Sequence, residues 1–298
     1  METIKIPYYP GCTLASTAKH FEESARYSAS MLGFSMEEVP DWTCCGASFP
    51  LANDNIMGLA GPANVLIKAK EECLKDDFED KVVTLCSVCF NVLKRTNYAF
   101  NKDKTKLDAV NGMLEAEYKA DTNVVHYLEV LRDYAGYDTI KTSLKVSLKG
   151  LKVAPYYGCF LLRPHEEIGL DDPYAPTIFE DMLESLGCEV VDFSHKVECC
   201  GSYSVMKDPD NATECSHSIL DSVNAADADI IAAACPLCQY NLDEKQRDVL
   251  EKEGINREIP VVYFTQLLAI ALGMDVNDAG LNINKIDPVP IFKAKGLA

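Results

Sequence analysis

The chain has 298 residues, of which 48% are apolar and 13 are cysteine, and a formal charge of −18. That charge argues against binding nucleic acid or an anionic membrane surface, and an odd number of thiols leaves one over from any complete disulfide framework. The longest apolar run, Val261 to Met274, is 14 residues interrupted by Thr265 and Gln266, which is too short to insert across a bilayer. The opening residues lack the basic start and long apolar middle of a secretory leader, so a cytoplasmic location is expected.

A short apolar run, Ile6-Pro7-Tyr8-Tyr9, predicts a strand leading into Pro10-Gly11-Cys12. A helical stretch follows and stops at Met31-Leu32-Gly33, and Cys44-Cys45-Gly46 comes next. A second strand-like run, Val82-Val83-Thr84-Leu85, leads into Cys86-Ser87-Val88-Cys89, with a helix expected just after Cys89. Val124-Val125-His126-Tyr127-Leu128 closes the series.

The same landmarks then recur in the same order. Ala154-Pro155-Tyr156-Tyr157-Gly158-Cys159 answers the first, and a helix with apolar residues at Ile178, Phe179, Met182, Leu183 and Leu186 ends at Gly187. Val190-Val191 reads as a strand before Cys199-Cys200-Gly201. Ile230-Ile231-Ala232-Ala233-Ala234 leads into Cys235-Pro236-Leu237-Cys238, and Val261-Val262-Tyr263-Phe264-Thr265 matches the last run. The three cysteine groups are offset by 147, 155 and 149 residues. Five landmarks in register indicate a duplication, with domains expected at 1–148 and 149–298. The tail from about Asp275, with Pro288 and Pro290, is expected to be an extended strap.

Alternation of strand and helix predicts an α/β fold: two pseudo-symmetric repeats, each with a short parallel sheet. Ligand sites in such sheets lie at the carboxyl ends of the strands. Cys12, Cys44, Cys45, Cys86 and Cys89 are therefore expected to converge in one half, and Cys159, Cys199, Cys200, Cys235 and Cys238 in the other, near the interface. Helices starting after Cys89 and Cys238 would favour thiolate through their dipoles. Two adjacent cysteines in extended chain point to opposite faces, so the chain must turn there or the bound group must be large enough to be gripped from two sides.

Structural zinc would also use cysteine pairs, and an isolated Cys-x-x-Cys could be a redox pair. Zinc, however, has no use for a fifth thiol, and a redox pair needs no partners 40 residues away. An iron–sulfur cluster usually takes four thiolates. A fifth means either a cluster that is not an ordinary cube or one cysteine free to open a coordination site. Cys45 and Cys200 are the candidates for such a cluster-mediated catalytic role.

In each half a single cysteine is followed by Cys-Cys-Gly and then Cys-x-x-Cys, with gaps between successive cysteines of 31 and 40 residues in the first half and 39 and 34 in the second. This double pattern resembles the tandem CCG-domain family, of the type found in the B subunits of heterodisulfide reductases. The resemblance covers nearly the whole chain and includes Leu161-Leu162-Arg163-Pro164 after Cys159. It implies a non-cubane [4Fe–4S] cluster on each five-cysteine set, two in all, with a small disulfide reduced between them. It also implies two partners, a ferredoxin-type C subunit and a flavin-carrying A subunit. The alternative is an electron-relay subunit of a larger flavin-containing complex that binds its substrate elsewhere.

Cys73, Cys188 and Cys215 have no counterpart in the other half and are expected to be small core residues. His126 lies in an apolar strand opposite Tyr263 and is expected to be structural. His195, four residues before Cys199, is more simply a surface or core histidine than a proton donor. Arg163 could meet an anionic substrate or pair with Asp171 or Asp172, and Trp42 could shield the cluster. No phosphate-binding loop, dinucleotide glycine motif, zinc-protease motif or nucleophile elbow is present. Electrons must therefore reach or leave the chain through another subunit.

Overall fold

The structure, a computed structural model, describes residues 4–47, 51, 55–253 and 257–297. In the first half, β1 (Ile4–Tyr8) is followed by α1 (Gly11–Leu14), α2 (Lys19–Met31) and β2 (Phe34–Glu38). Next come α3 (Ala60–Cys73), β3 (Val82–Thr84), α4 (Ser87–Lys102), α5 (Lys104–Leu114), β4 (Val124–His126), α6 (Tyr127–Val130) and α7 (Tyr137–Ser143). The second half runs β5 (Lys152–Tyr156), α8 (His165–Ile168), α9 (Ile178–Ser185), β6 (Glu189–Val190) and α10 (Pro209–Ala225). It continues with β7 (Ile230–Ala233), α11 (Pro236–Gln239), α12 (Gln246–Glu253), β8 (Val261–Tyr263), α13 (Phe264–Ala271) and α14 (Val289–Ala294).

The two four-stranded sheets have matching orders, β2-β1-β3-β4 and β6-β5-β7-β8, and every pairing is parallel. The central strands β3 and β7 are buried along their whole length, as helix-covered parallel sheets require. Short apolar runs without alternation therefore mark the strands, and the chain alternates into helices because parallel neighbours need crossovers.

The halves exchange helices. The first crossover helix of the first half, α2, packs on α13 of the second half, while its counterpart α9 packs on α6 and α7 of the first. Phe264 is the aromatic hub of this exchange. Its ring meets Phe21 and Phe179 edge-on, with centroids 5.8 and 5.6 Å away, and Phe21 stacks on Tyr263 at 4.1 Å. Polar contacts set the register. Ser24 and Thr265 share a hydrogen bond of 2.6 Å, and the Tyr127 hydroxyl donates to the Ala25 carbonyl at 3.1 Å. Elsewhere along the interface, α4 reaches α8 through Arg95 and Glu167 at 2.8 Å, and Asn91 donates to the Phe160 and Arg163 carbonyls at 2.7 Å.

Two boundaries differ from expectation. The helices at the Cys-x-x-Cys segments begin one residue after Cys86 and Cys235, not after Cys89 and Cys238. The tail contains a short 3-10 turn, Leu281–Ile283, and ends in α14. Pro288 and Pro290 sit at the N-terminus of that helix, where a missing backbone N–H is tolerated. The stretch between these turns is tied down by Asp243, which accepts from Lys285 N and Ile286 N at 2.6 and 3.1 Å.

Replacing Phe264 with Ala should cost ~3–5 kcal/mol, the usual penalty for emptying a large aromatic site. Because the hub belongs to both halves, denaturant unfolding should keep a single, shifted transition. Two separate transitions in the variant would show that the halves fold independently.

Candidate metal centre

The ten expected thiols come together along the facing carboxyl ends of the two sheets. Cys12 lies on α1 just past β1, and the Cys44-Cys45 loop follows β2. Cys86 caps α4 in extended conformation, which places Cys89 in the first helical turn, where the helix dipole favours thiolate. Cys235 and Cys238 repeat this placement on α11.

The vicinal pairs divide their sulfurs between two directions. Cys44 Sγ lies 3.9 Å from Cys12 and Cys45 Sγ lies 3.7 Å from Cys89. In the second half Cys200 Sγ lies 3.6 Å from Cys238, and Cys199 interacts with Cys159. Each loop therefore grips the space before it from both sides. The two sets also meet, because Cys86 interacts with Cys235 and Ser87 donates from both N (3.3 Å) and Oγ (2.9 Å) to the Ala234 carbonyl.

Backbone shape serves this crowding. Gly11 and Gly158 have φ of +72° and +66°, and a Cβ at either position would lie 2.7 or 3.3 Å from the sulfur of Cys89 or Cys238. Gly46 N and Gly201 N donate to the sulfurs of Cys44 and Cys199 at 3.4 and 3.3 Å. A tyrosine three residues before the first cysteine of each half holds the loop in place. Tyr9 donates to the Thr43 carbonyl at 3.0 Å and accepts from Cys45 N at 3.0 Å. Tyr156 donates to the Glu198 carbonyl at 2.8 Å. Thr43 and Glu198 are the residues just before the two cysteine pairs, so the clamp is the same in both halves.

The thiols perturb one another strongly. Hydrogen bonds from Cys44 and Cys89 pull Cys45 down to about 3, and the same contacts push Cys44 and Cys89 up. A hydrogen bond from Cys159 draws Cys199 down to about 6. Cys235 is held low by Cys238 and Cys86, both of which are raised. The fixed charges acting most strongly on these groups are other thiols and, for Cys199, Glu198. No lysine or arginine is among the strongest influences on the perturbed thiols, so a cationic group between them would favour their ionising together.

Among the described residues no cluster of His, Cys, Asp and Glu is arranged to hold a single metal ion. The sulfurs instead form a string from Cys12 through Cys44, Cys45, Cys89 and Cys86 to Cys235, Cys238 and Cys200. An all-thiol donor set spread along a line suits a group of several irons and their sulfides better than one tetrahedral zinc.

A profile of the cysteine-rich CCG domain matches residues 6–94 and again 153–243. The chain belongs to the CCG family. The 8-methylmenaquinol:fumarate reductase membrane anchor subunit of Wolinella succinogenes is 31% identical to it over 94% of this chain and 96% of that protein. The B subunit of the ferredoxin:CoB-CoM heterodisulfide reductase of Methanosarcina mazei is 28% identical over 98% and 96%. A crystal structure of a hypothetical protein from Helicobacter pylori superposes with a TM-score of 0.74 at 12% identity. The match covers 96% of this chain and 52% of that one, and it supports the fold alone.

The remaining candidates of the CCG chain lie around the thiols. His126 is buried, with Nε2 2.9 Å from the Leu85 carbonyl and Nδ1 accepting from Leu128 N, so it caps α6 as Tyr263 caps α13. Trp42 stands edge-on to Tyr9 at 5.5 Å and so buttresses the clamp. Arg163 bonds the Pro173 carbonyl at 3.4 Å, while Asp171 and Asp172 are occupied by backbone N–H groups, so of its two alternatives the ion pair does not form. His195 bonds Ser194 at 3.0 Å on the loop before Cys199. Cys73 and Cys188 are buried. Cys215 departs from its expected core role: it is only half-buried on α10, beside Gly201, and feels the charges of Cys199 and Cys200.

Changing Tyr9 or Tyr156 to Phe removes the clamp bond and leaves a carbonyl unpaired, at a cost of about 1–3 kcal/mol if that carbonyl stays dry. The affected half should lose metal faster on anaerobic dialysis, read as iron per chain. Burial holds His126 at about 4 against 6.5 in the unfolded chain. Folding therefore disfavours its protonation, and its contribution is full above pH 6.5 and fades as pH falls toward 4. A His126→Gln variant should show a smaller drop in denaturant midpoint between about pH 7 and pH 5 than the natural chain.

Proposed function

We propose that the chain is an iron–sulfur oxidoreductase subunit of the kind that serves as the B subunit in heterodisulfide reductases, reducing a small disulfide with electrons relayed from partner subunits. The observation that carries this reading is the meeting of two five-thiol sets at Cys86 and Cys235. The B subunits of heterodisulfide reductases also align with nearly the whole chain. In this reading residues 1–148 and 149–298 are the two CCG domains. Cys12, Cys44, Cys45, Cys86 and Cys89 hold one [4Fe–4S] cluster, and Cys159, Cys199, Cys200, Cys235 and Cys238 hold the other, both non-cubane. When bound, such clusters supply one electron each, and cleaving a disulfide to two thiols consumes two electrons and two protons.

The protein's own part is positional. The clamps at Tyr9 and Tyr156 fix the vicinal pairs, Gly11 and Gly158 leave room for sulfur beside the backbone, and the sheet ends keep the two sets adjacent. Cys45 and Cys200, the buried members of the pairs, are the positions at which a fifth ligand would govern access of substrate sulfur. Electrons would enter from a ferredoxin-type subunit and a flavin-carrying subunit, in the manner of a flavin-based bifurcating complex of anaerobic metabolism. Among the described residues no helix is long and apolar enough to cross a membrane.

A second reading is supported by the likeness to a subunit of a fumarate reductase. Here the chain conducts electrons and the substrate is bound by another subunit.

Anaerobic metal and sulfide analysis should give about eight irons per chain, from two clusters of four. Changing Cys45 or Cys200 to Ala in the folded complex should lower disulfide turnover by about tenfold or more, at least the loss seen when metal-supporting groups are removed. Unchanged turnover in both variants would defeat the catalytic reading. Binding of a soluble disulfide to the isolated subunit separates the first reading from the relay.

A further inference from the structure

Behind the second cysteine pair the chain departs from its own repeat. After Cys238 the helix α11 opens into a π-helical turn, Tyr240–Glu244, whereas the matching residues 91–95 lie inside the regular helix α4. Single π-helical turns are frequent at functional sites. This one carries Asn241, which is 2% exposed and whose Nδ2 donates to the Cys200 carbonyl at 2.8 Å. Ser216, 1% exposed on α10, donates its hydroxyl to the same carbonyl at 3.1 Å. The position that matches Asn241 in the first half is Val92, whose side chain has no hydrogen bond to give.

The Cys200 carbonyl and the Gly201 N–H belong to one planar peptide group, and that N–H donates to Cys199 Sγ at 3.3 Å. Two donors at the oxygen end fix the tilt of the plane and polarise it, which strengthens the N–H at the other end. The influence of Asn241 and Ser216 therefore reaches the sulfur of Cys199 through a single peptide. The amide of Asn241 can face only one way, because turning it over would set its oxygen against the carbonyl oxygen. Its Oδ1 finds no hydrogen-bond partner in the buried site. A buried unpaired oxygen costs stability that a valine would not, so packing alone does not account for an asparagine here. In the first half Gly46 N donates to Cys44 Sγ at 3.4 Å with Val92, not an asparagine, at the supporting position.

We propose that Asn241 and Ser216 are positioning residues which, through the Cys200–Gly201 peptide, raise the reduction potential of the metal group held by the second thiol set. The proposal rests on the reading that these five thiols hold a cluster, and it adds the residues that tune one cluster independently of the other. A hydrogen bond to a ligand sulfur draws negative charge away from the metal, which favours the reduced, more negative state of the group. Removing either donor lowers the potential of the second group alone.

The test is an anaerobic redox titration of the full chain carrying its metal, with dithionite as reductant, followed by visible absorbance and electron paramagnetic resonance. Iron per chain is counted on the same samples. Asn241→Val, which copies the first half, and Ser216→Ala should each lower the same one-electron step. The expected change is about threefold or more in the oxidised-to-reduced ratio, roughly 28 mV on a scale of 59 mV per tenfold, with the other step left in place. Ser216→Thr keeps the hydroxyl and should keep the natural potential, since its extra methyl finds room in a cavity of about 130 Å³ lined by both Ser216 and Asn241. Ser218→Ala, whose hydroxyl bonds back to the Glu214 carbonyl of its own helix, should move neither step. Steps that stay in place at full iron would overturn the proposal. So would loss of iron from both Asn241→Val and Ser216→Ala, a shift of both steps together, or Ser216→Thr behaving like Ser216→Ala. A natural chain that binds no iron sinks the proposed function itself, whereas full iron with unmoved steps sinks this inference alone.

Discussion

Ten thiols are packed together in this protein with other thiols as their strongest electrostatic neighbours. Six of the ten are buried, and like charges at such distances cannot all persist there, so the protein part is electrostatically incomplete by itself. Protons shared along the sulfur string relieve the repulsion in the bare chain, and metal cations would relieve it in the working one. The parallel sheets, the glycines beside the sulfurs and the tyrosine clamps all serve to bring these groups close despite their mutual repulsion.

The two halves are alike in frame and unlike in surroundings. Both clamps, both sheet orders and both vicinal pairs repeat. The serine that bonds across the junction, Ser87, belongs to the first half, and its counterpart in the second half is Pro236. Cys215 stands behind the second set and has no matching cysteine in the first half. Duplication thus accounts for two similar thiol sets whose surroundings differ.

Much of the fold could be read from the residues because each landmark carries its own physics. Uniformly apolar runs such as Ile230–Ala233 mark buried parallel strands, and the repeated cysteine groups reveal the duplication and the convergence of the ten thiols. The helix starts were misplaced because Cys86 and Cys235 act as extended caps without a capping side chain, although Pro236 at the first helical position did mark the start in the second half. The tail helix was missed because its two prolines fall in the first turn, where proline is harmless. The clamp did leave a signal, a tyrosine three residues before the first cysteine of each half, but only the fold shows that its hydroxyl reaches the loop before the cysteine pair. The ion pair, one of two alternatives for Arg163, does not form because the neighbouring carboxylates cap local backbone instead.

The reciprocal seating of α2 on α13 and of α9 on α6 makes the contact surface nearly self-complementary. A chain bearing a single repeat could form both contacts at once by pairing with a second copy of itself about a two-fold axis. Such an isologous homodimer would already set two thiol groups side by side, so gene fusion would have needed only a linker where residues 144–151 now run. Once fused, the copies were free to differ, which a symmetric dimer encoded by one gene could never do.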